Sequence, residues 1–322
     1  MKKVRFVSLA LAGLSVLSVA RATTIAENFS TNPFLDGWRI FGDTNLFRWK
    51  STNHDLAVTW DSSQPNSYFY HLLGTILTTN DDFSVAFDLQ LNDVTVSSYG
   101  MEISAGFLNL ANATSTNFDR ANGVNPNLAE FDYFPTPDYE AVSPALVSSN
   151  GQFAAAFDLP VPLAISNSFH IVMTYTATNQ TLSTFITNNH DGQPIGPIDG
   201  VNLNDYGASF SDFRLDAVAI SSYSAANDIY GDSTLAHGIV DNLVVIVPPP
   251  PIQNLTGAFS YGVWQARLTS RSNWLYTLQR TTNLVSWNDV PVSITGSGTN
   301  LFLSDTNGLA DRAFYRVRAE RP

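Results

Sequence analysis

Apolar and polar residues alternate along most of the chain, the pattern of β-strands with one buried face. The clearest case is a predicted hairpin, with strands at 170–175 and 181–187 joined by a turn through 177–180. Apolar side chains recur at every second position of the first strand, and Leu182 and Ile186 share one face of the second, so each strand is expected to bury one face. The pattern predicts an antiparallel pair that packs on a common core.

Similar short runs, rich in Val, Ile, Phe, Tyr and Thr, are separated by clusters of Asn, Asp, Gly and Ser. Helical periodicity is nearly absent after residue 22. The other candidate strands before residue 248 are 56–60, 67–77, 83–91, 101–108, 128–134, 153–159, 213–221 and 239–247. A series of this kind predicts an all-β sandwich or barrel.

The first 22 residues follow a different pattern. Lys2, Lys3 and Arg5 precede an apolar run at 6–20, and Ala-Arg-Ala at 20–22 follows it. This order predicts a secretory signal peptide, residues 1–22, with cleavage after Ala22. The run is shorter than the ~20 residues of a membrane-spanning helix, so we expect no membrane span and a secreted protein, periplasmic, at the cell surface or extracellular.

Four consecutive prolines, 248–251, interrupt the strand pattern. Proline has no backbone N–H and cannot continue a sheet, so these residues predict a stiff linker. Residues 23–247 carry five basic and 24 acidic residues, whereas residues 252–322 carry seven basic and four acidic. The prolines and this charge asymmetry together predict two domains, 23–247 and 252–322.

Charge and cysteine content exclude several functions. Four of the 16 basic residues lie in the predicted signal peptide, so the rest of the chain has 12 basic and 28 acidic residues and a net charge of −16. Such a surface repels phosphate backbones, so nucleic-acid binding is not expected. The chain has no cysteine, which excludes disulfides and thiolate metal sites. The five histidines show no paired ligand spacing.

Three motifs in residues 23–247 carry a resemblance. The hairpin is followed by the Asp-Gly turn at 191–192, Glu-Asn-Phe at 27–29 is followed by Gly-Trp at 37–38, and Gly-Ile-Val-Asp-Asn at 238–242 precedes a closing strand. With these motifs the region resembles the concanavalin A-like lectin and glucanase superfamily. The resemblance implies a jelly roll of two packed antiparallel sheets, a fold that carries unrelated activities.

Residues 252–322 contain two strand patterns, 274–279 and 313–318, with Trp287 and a Gly-Ser-Gly turn at 296–298 between them. This region resembles the small C-terminal β-sandwich modules of secreted bacterial proteins. Trp274, Leu278, Trp287, Phe302 and Tyr315 are its predicted core. Cell-surface association and a passive fold are both compatible with it.

The strand at 128–134 holds the chemistry that decides between enzyme and binder. Glu130, Asp132 and Phe134 share one face because strand side chains alternate. Retaining glucanases of the superfamily have carboxylates at all three positions, so the resemblance makes Glu130 the nucleophile and Asp132 the middle carboxylate. Phe134 cannot donate the proton that the leaving oxygen requires. Glu102 or Glu140 are possible substitutes, although their spacing selects neither.

The same face can instead bind a glycan. Carboxylates accept hydrogen bonds from sugar hydroxyls, and aromatic rings cover the apolar faces of sugars. The candidate ligand-binding residues are Glu130, Asp132, Tyr133, Tyr139 and Trp49. The alternative is that these aromatic residues belong to the core of the sandwich.

A structural calcium ion is also predicted. Glu27 and Asp241 fall in the first and last strands, which lie side by side in jelly rolls, and in the modules they resemble these positions help to hold calcium. Calcium takes six to eight oxygen ligands. The alternative is that Asp241 caps a turn and Glu27 is solvated.

The sequence therefore predicts a secreted lectin-like protein that binds a neutral glycan or another extracellular surface. One alternative is a β-glucanase-like hydrolase that uses Glu130 and Asp132. Another is a surface-structure or interaction protein without a sugar site. The sequence does not determine the oligomeric state.

Overall fold

The computed structural model describes residues 22–136, 139–307 and 313–322. The predicted signal peptide lies outside the described residues apart from Ala22. Within the described residues the chain is built almost entirely of antiparallel strands in four sheets.

Sixteen strands lie before the prolines in the part of the chain that the structure describes. They are β1 (Thr23–Glu27), β2 (Arg39–Phe41), β3 (Phe47–Lys50), β4 (Asp55–Asp61), β5 (Ser67–Leu77), β6 (Phe83–Ser97), β7 (Ile103–Leu108), β8 (Leu128–Phe134), β9 (Ala141–Val147), β10 (Phe153–Ala155), β11 (Ser168–Thr176), β12 (Thr181–Asn188), β13 (Pro194–Ile195), β14 (Val201–Asn202), β15 (Leu215–Ser222) and β16 (Ser233–Val247). The helical segments are α1 (Leu110–Ala113) and the 3-10 turns Pro33–Leu35, Thr44–Leu46, Leu203–Asp205 and Gly207–Ser209.

These strands form two large sheets. The first has the order β13-β12-β11-β6-β16-β4-β3, with β1 paired to β16 and β14 paired to β12. The second has the order β10-β9-β8-β7-β15-β5-β2. The predicted hairpin is β11–β12, in which Tyr175 pairs with Leu182. Its alternating burial matches the sequence pattern.

The two large sheets pack face to face around an aromatic and aliphatic core. Phe87 of the first sheet meets Phe131 of the second with 5.9 Å between ring centroids, and Phe83 meets Phe107 at 4.9 Å. All four rings are buried. Burial of one such side chain stabilises the fold by about 1.5–3 kcal/mol. The predicted all-β, jelly-roll-like sandwich is therefore confirmed.

The sequence interpretation differs from the structure around β9 and β10. Strand β9 was not predicted because every residue of it is buried, so it shows no alternation. The strand predicted at 153–159 ends at Ala155. An isolated bridge between Asp158 and Val142 continues the pairing with β9 beyond that point.

After the prolines, six further strands form two three-stranded sheets. They are β17 (Ile252–Ser260), β18 (Val263–Ser270), β19 (Leu275–Thr281), β20 (Asn288–Thr295), β21 (Asn300–Asp305) and β22 (Phe314–Glu320). The sheet orders are β17-β18-β21 and β20-β19-β22.

These six strands enclose a core of their own, which includes Trp274, Tyr276 and Leu278. Two residues predicted for this core lie elsewhere, since Trp287 lies under the Arg316 guanidinium at 4.2 Å and Phe302 is half-exposed. The assignment of 23–247 and 252–322 as two domains stays a prediction, as does the resemblance of the smaller one to bacterial modules.

Candidate functional site

The segment between β7 and β8, residues 109–127, covers part of the outer face of the second sheet, the face turned away from the first sheet. Ala113 and Phe118 of this segment are buried in a small second core. The sheet contributes to it Tyr68, Met101, Leu108, Leu128, Val147, Ala217 and Ala219. This segment therefore covers the β8 side chains that point away from the first sheet.

Arg120 projects from residues 109–127, the covering segment, toward the carboxylates of Glu102, Glu130 and Asp132. We call these four residues together the carboxylate cluster. Its Nε lies 2.9 Å from Glu102 Oε1 and 3.7 Å from Glu130 Oε2. Its Nη2 lies 2.6 Å from Asp132 Oδ2. Every side chain of the cluster is less than a tenth exposed. One guanidinium thus ties the covering segment to strand β8 and to the start of β7.

Neighbouring hydroxyl groups bind one oxygen each of Asp132 and Glu130, whereas the buried Glu130 Oε2 has no hydrogen-bond partner among the described residues. The Ser104 hydroxyl donates to Asp132 Oδ1 at 2.5 Å, and the Tyr223 hydroxyl donates to Glu130 Oε1. Gly106 pairs with Glu130 across the strands, and a Cβ there would lie 2.3 Å from the Ala129 carbonyl oxygen. The absence of a side chain at Gly106 permits this close approach of the two strands.

Burial governs the protonation of the cluster. Desolvation, and then the charge of Asp132, raise the pKa of Glu130 well above its ordinary value, despite the opposing effect of Arg120. Burial raises the pKa of Asp132 to about 6, although Arg120 opposes this. Burial acts to lower the pKa of Arg120, but the three carboxylates more than offset it. Glu130 and Asp132 therefore both hold a proton more readily than carboxyl groups in water do.

This geometry changes the interpretation of Glu130 and Asp132. Both side chains are 1% exposed, and the Arg120 guanidinium lies where a substrate would have to approach them. A glycosidase needs both carboxyl groups open to the scissile bond. The closed cluster instead holds the covering segment on the sheet.

The other three predicted ligand-binding residues do not join Glu130. Tyr133 faces the core between the sheets, and its hydroxyl accepts a hydrogen bond from the Leu163 amide at 3.1 Å. Trp49 packs against the same core and donates from Nε1 to the Phe29 carbonyl at 2.8 Å. Tyr139 is partly exposed and contacts the Tyr99 ring. Strand alternation sends Tyr133 to the face opposite Glu130, so the structure does not bring the five residues together, and their role in ligand binding stays a prediction.

The structure places Glu27 and Asp241 near each other, as predicted, since Glu27 pairs with Leu243 across β1 and β16. One carboxylate oxygen of each residue accepts a hydrogen bond from a backbone amide. Glu27 Oε1 accepts from the Phe29 amide and Asp241 Oδ1 accepts from the Asn242 amide, each at 2.7 Å. Across residues 22–136, 139–307 and 313–322, no group of three Asp, Glu or His side chains could hold a metal ion. The described residues thus add no third acidic or histidine ligand to Glu27 and Asp241, and calcium binding there stays a prediction.

A cleft of about 280 Å³ opens on the other side of the covering segment, and we call it the loop cleft. Four separate segments contribute to its lining, which includes Phe41, Asn66, Thr114, Ser115, Thr116, Phe118, Asp119, Ser224 and Asn227. The Phe41 ring stacks on Tyr68 with 5.9 Å between centroids and is 38% exposed. One aromatic face is thus presented beside amide, hydroxyl and carboxylate groups.

Hydrogen bonds fix the polar wall of the loop cleft. Asp119 Oδ2 accepts from the side-chain amides of Asn122 and Asn227, each at 3.0 Å. Burial opposes ionisation of Asp119, but these hydrogen bonds more than offset it and lower the pKa of Asp119. Asn66 Oδ1 accepts from the Ser224 amide at 2.8 Å. The cleft therefore presents an ionised carboxylate and rigidly held amides.

Sequence reasoning did not find this cleft, because its residues come from segments more than a hundred positions apart that only the fold brings together. It also missed Arg120. The one available signal was the scarcity of basic residues, since Arg120 is one of only five in 23–247.

Comparison with known proteins gives likenesses of structure alone. No protein-family model matches the chain, and no curated protein matches it. Solved structures similar to part of it include a basic winged bean lectin with Tn-antigen, at 15% identity and a TM-score of 0.43, covering 70% of this chain and 100% of that one. The lectin UEA-II complexed with galactose is 13% identical, with a TM-score of 0.44 and coverages of 71% and 100%.

A third similar structure is a carbohydrate esterase from the Shiga toxin-encoding bacteriophage phi24B, at 14% identity and a TM-score of 0.40, covering 71% of this chain and 100% of that one. Identities and TM-scores this low assign neither a ligand nor an activity to the chain. Among the described residues, no helix is both long and apolar enough to cross a membrane.

Proposed function

We propose that the chain binds a neutral glycan in the loop cleft. The observation that carries the proposal is the combination in one concave site of the exposed Phe41 ring with the Asp119 carboxylate and the Asn66 and Asn227 amides. Sugar recognition uses an aromatic ring for the apolar face and fixed polar groups for the hydroxyls. The volume of about 280 Å³ suits a short glycan rather than a polymer chain.

Charge supports a neutral ligand. Asp119 is ionised and partly buried at the cleft, so an anionic sugar would approach a fixed negative charge. The region before the prolines carries five basic and 24 acidic residues, which adds a long-range repulsion of anions.

The hydrolase alternative rests on one specific observation, that Glu102 brings a third carboxylate to Glu130 and Asp132. Catalysis at these residues would require Arg120 and the covering segment to withdraw. A binding role needs no such rearrangement, so we favour it. We also propose secretion through the signal peptide predicted at 1–22.

Binding can be tested on a panel of neutral and acidic glycans with four variants. Phe41→Ala and Asp119→Asn change the loop cleft. The matched controls are Phe185→Ala and Asp191→Asn. Phe185 is a half-exposed ring on the first sheet, and Asp191 is an exposed carboxylate that also accepts a hydrogen bond from a nearby backbone amide. We expect both cleft variants to lose at least about tenfold in affinity, since a lost stacking or charged contact costs more than about 1.4 kcal/mol.

Equal binding by all four variants would locate any sugar site elsewhere. If the wild-type chain binds none of the glycans, the remaining hypothesis is a surface-structure or interaction protein without a sugar site. Turnover of a β-glucan that Glu130→Gln abolishes would establish the hydrolase instead.

A further inference from the structure

We propose that the six strands after the prolines are a fixed part of the fold, docked on a dedicated surface of the larger group of strands through Asp81. The occupant of this surface is the chain's own C-terminal segment. The proline linker predicted from the sequence would then be a strap held at both ends rather than a free spacer.

Asp81 lies in the turn between β5 and β6 and is 6% exposed. Its Oδ2 accepts from the Thr78 amide at 3.0 Å and from Arg321 Nη1 at 2.5 Å. Its Oδ1 accepts from Arg271 Nη2 at 2.7 Å. Both oxygens of one buried carboxylate are thus occupied by guanidinium groups from the other side of the prolines.

The two arginines share a second partner. Arg271 and Arg321 lie over the Trp274 ring at 5.7 and 5.8 Å from its centroid. Their side chains are 13% and 6% exposed. A buried guanidinium without its carboxylate carries a large desolvation cost, so each arginine depends on Asp81 being in place. Charge-assisted pairs of this geometry are directional as well as strong.

Further contacts surround this centre. Arg271 Nη1 also donates to Thr75 Oγ1 at 2.8 Å and to the Pro249 carbonyl at 3.1 Å. Ile76, at the end of β5, packs against the core of the six C-terminal strands. The Tyr276 hydroxyl donates to the Pro251 carbonyl at 2.6 Å. The contacts therefore reach β5, the proline segment and the C-terminal core together.

The docking accounts for the charge asymmetry along the chain. The larger region is strongly acidic, and the C-terminal region has seven basic and four acidic residues. Two of those seven basic residues, Arg271 and Arg321, form ion pairs with Asp81. A basic module that docks on an acidic one needs this complementarity, whereas a free module does not.

The test uses the full chain after signal removal. Because the chain has no cysteine, Ser51→Cys and Ser297→Cys, both exposed, provide one spin label on each side of the prolines. We expect a single narrow distance distribution and one calorimetric transition. Asp81→Asn should broaden the distribution or split the transition. Asp289→Asn, which breaks the exposed pair with Arg318, is the matched control and should change neither.

A broad distribution in the wild-type chain, or an unchanged narrow one in Asp81→Asn, would overturn the proposal. If Asp81→Asn does not fold, a chain that ends at Glu320 removes Arg321 and leaves Asp81 and its turn intact. That chain should show the same broadening. A narrow distribution in it would show that Arg321 does not fix the two groups of strands.

Discussion

Glu102 lies one residue before β7, and its carboxylate contacts the Arg120 guanidinium at 2.9 Å. The sequence of β8 has an aromatic ring where the resembling glucanases have a third carboxylate. Glu102, which precedes the neighbouring strand β7, shares the Arg120 guanidinium with Glu130 and Asp132 of β8. All three acidic groups contact Arg120 and thereby hold the covering segment on the sheet.

Replacement of Arg120 should destabilise the protein strongly. Arg120→Met keeps the apolar stem but leaves three buried carboxylates without a counter-charge. We expect a loss of about 3–5 kcal/mol in the free energy of unfolding at neutral pH. Urea denaturation measures it, with Arg48→Met, an exposed residue of β3, as the control that should stay within about 0.5 kcal/mol. A similar loss in both variants would contradict the assigned role of Arg120.

Stability should fall as pH rises through about 6. The folded state raises the pKa of Asp132 to about 6 and also raises that of Glu130, so it binds more protons than the unfolded chain. The stability they contribute is fully present below the ordinary carboxyl pKa of about 4 and is lost as pH rises through the folded value. Thermal melts across this range measure the slope. A melting temperature that rises steadily up to pH 8 would contradict the prediction.

Glu130→Gln should be tolerated, because an amide has the shape of a protonated carboxyl group. We expect a change of less than about 1 kcal/mol near neutral pH, and a shallower fall in stability as pH rises. Asp132→Asn is the comparison, since it removes the charge that Arg120 Nη2 contacts at 2.6 Å. Its cost at neutral pH should be several times larger. If the order of the two were reversed, the proton would reside on Asp132.

The large sandwich could be predicted from the sequence because its strands alternate and end at turn residues. Strand β11 is an example, with apolar Phe169, Ile171, Met173 and Tyr175 buried and the residues between them less buried. Strand β9 could not be predicted in the same way, because it is buried on both faces. Periodicity reports a half-buried surface and carries no signal when both surfaces are covered.

The candidate site was only half predictable. Strand alternation placed Glu130 and Asp132 on one face, and the structure confirms that they share it. Their partner Arg120 comes from an irregular segment whose path no periodicity encodes. The loop cleft is harder still, since Phe41 and Asn227 meet only through the packing of distant loops.

Removal of divalent cations should leave stability unchanged. Glu27 and Asp241 each use a carboxylate oxygen to cap a nearby backbone amide, and the part of the chain that the structure describes adds no third acidic or histidine ligand at ligand spacing. A chelator should therefore shift the melting temperature by less than about 1 °C, whereas a folding-linked ion would give several degrees. A larger shift that added calcium reverses would restore the predicted calcium site.

Tyr133 should matter for stability and not for glycan binding. Its ring lies in the core between the sheets, and its hydroxyl accepts from the Leu163 amide at 3.1 Å. Tyr133→Phe keeps the packing and removes one buried acceptor, so we expect a loss of about 1–2 kcal/mol in the free energy of unfolding. Affinity for any glycan found on the panel should be unchanged, because the loop cleft lies on the opposite face of the second sheet. If Tyr133→Phe instead lost glycan affinity and kept its stability, the sugar site would lie near β8 and not in the loop cleft.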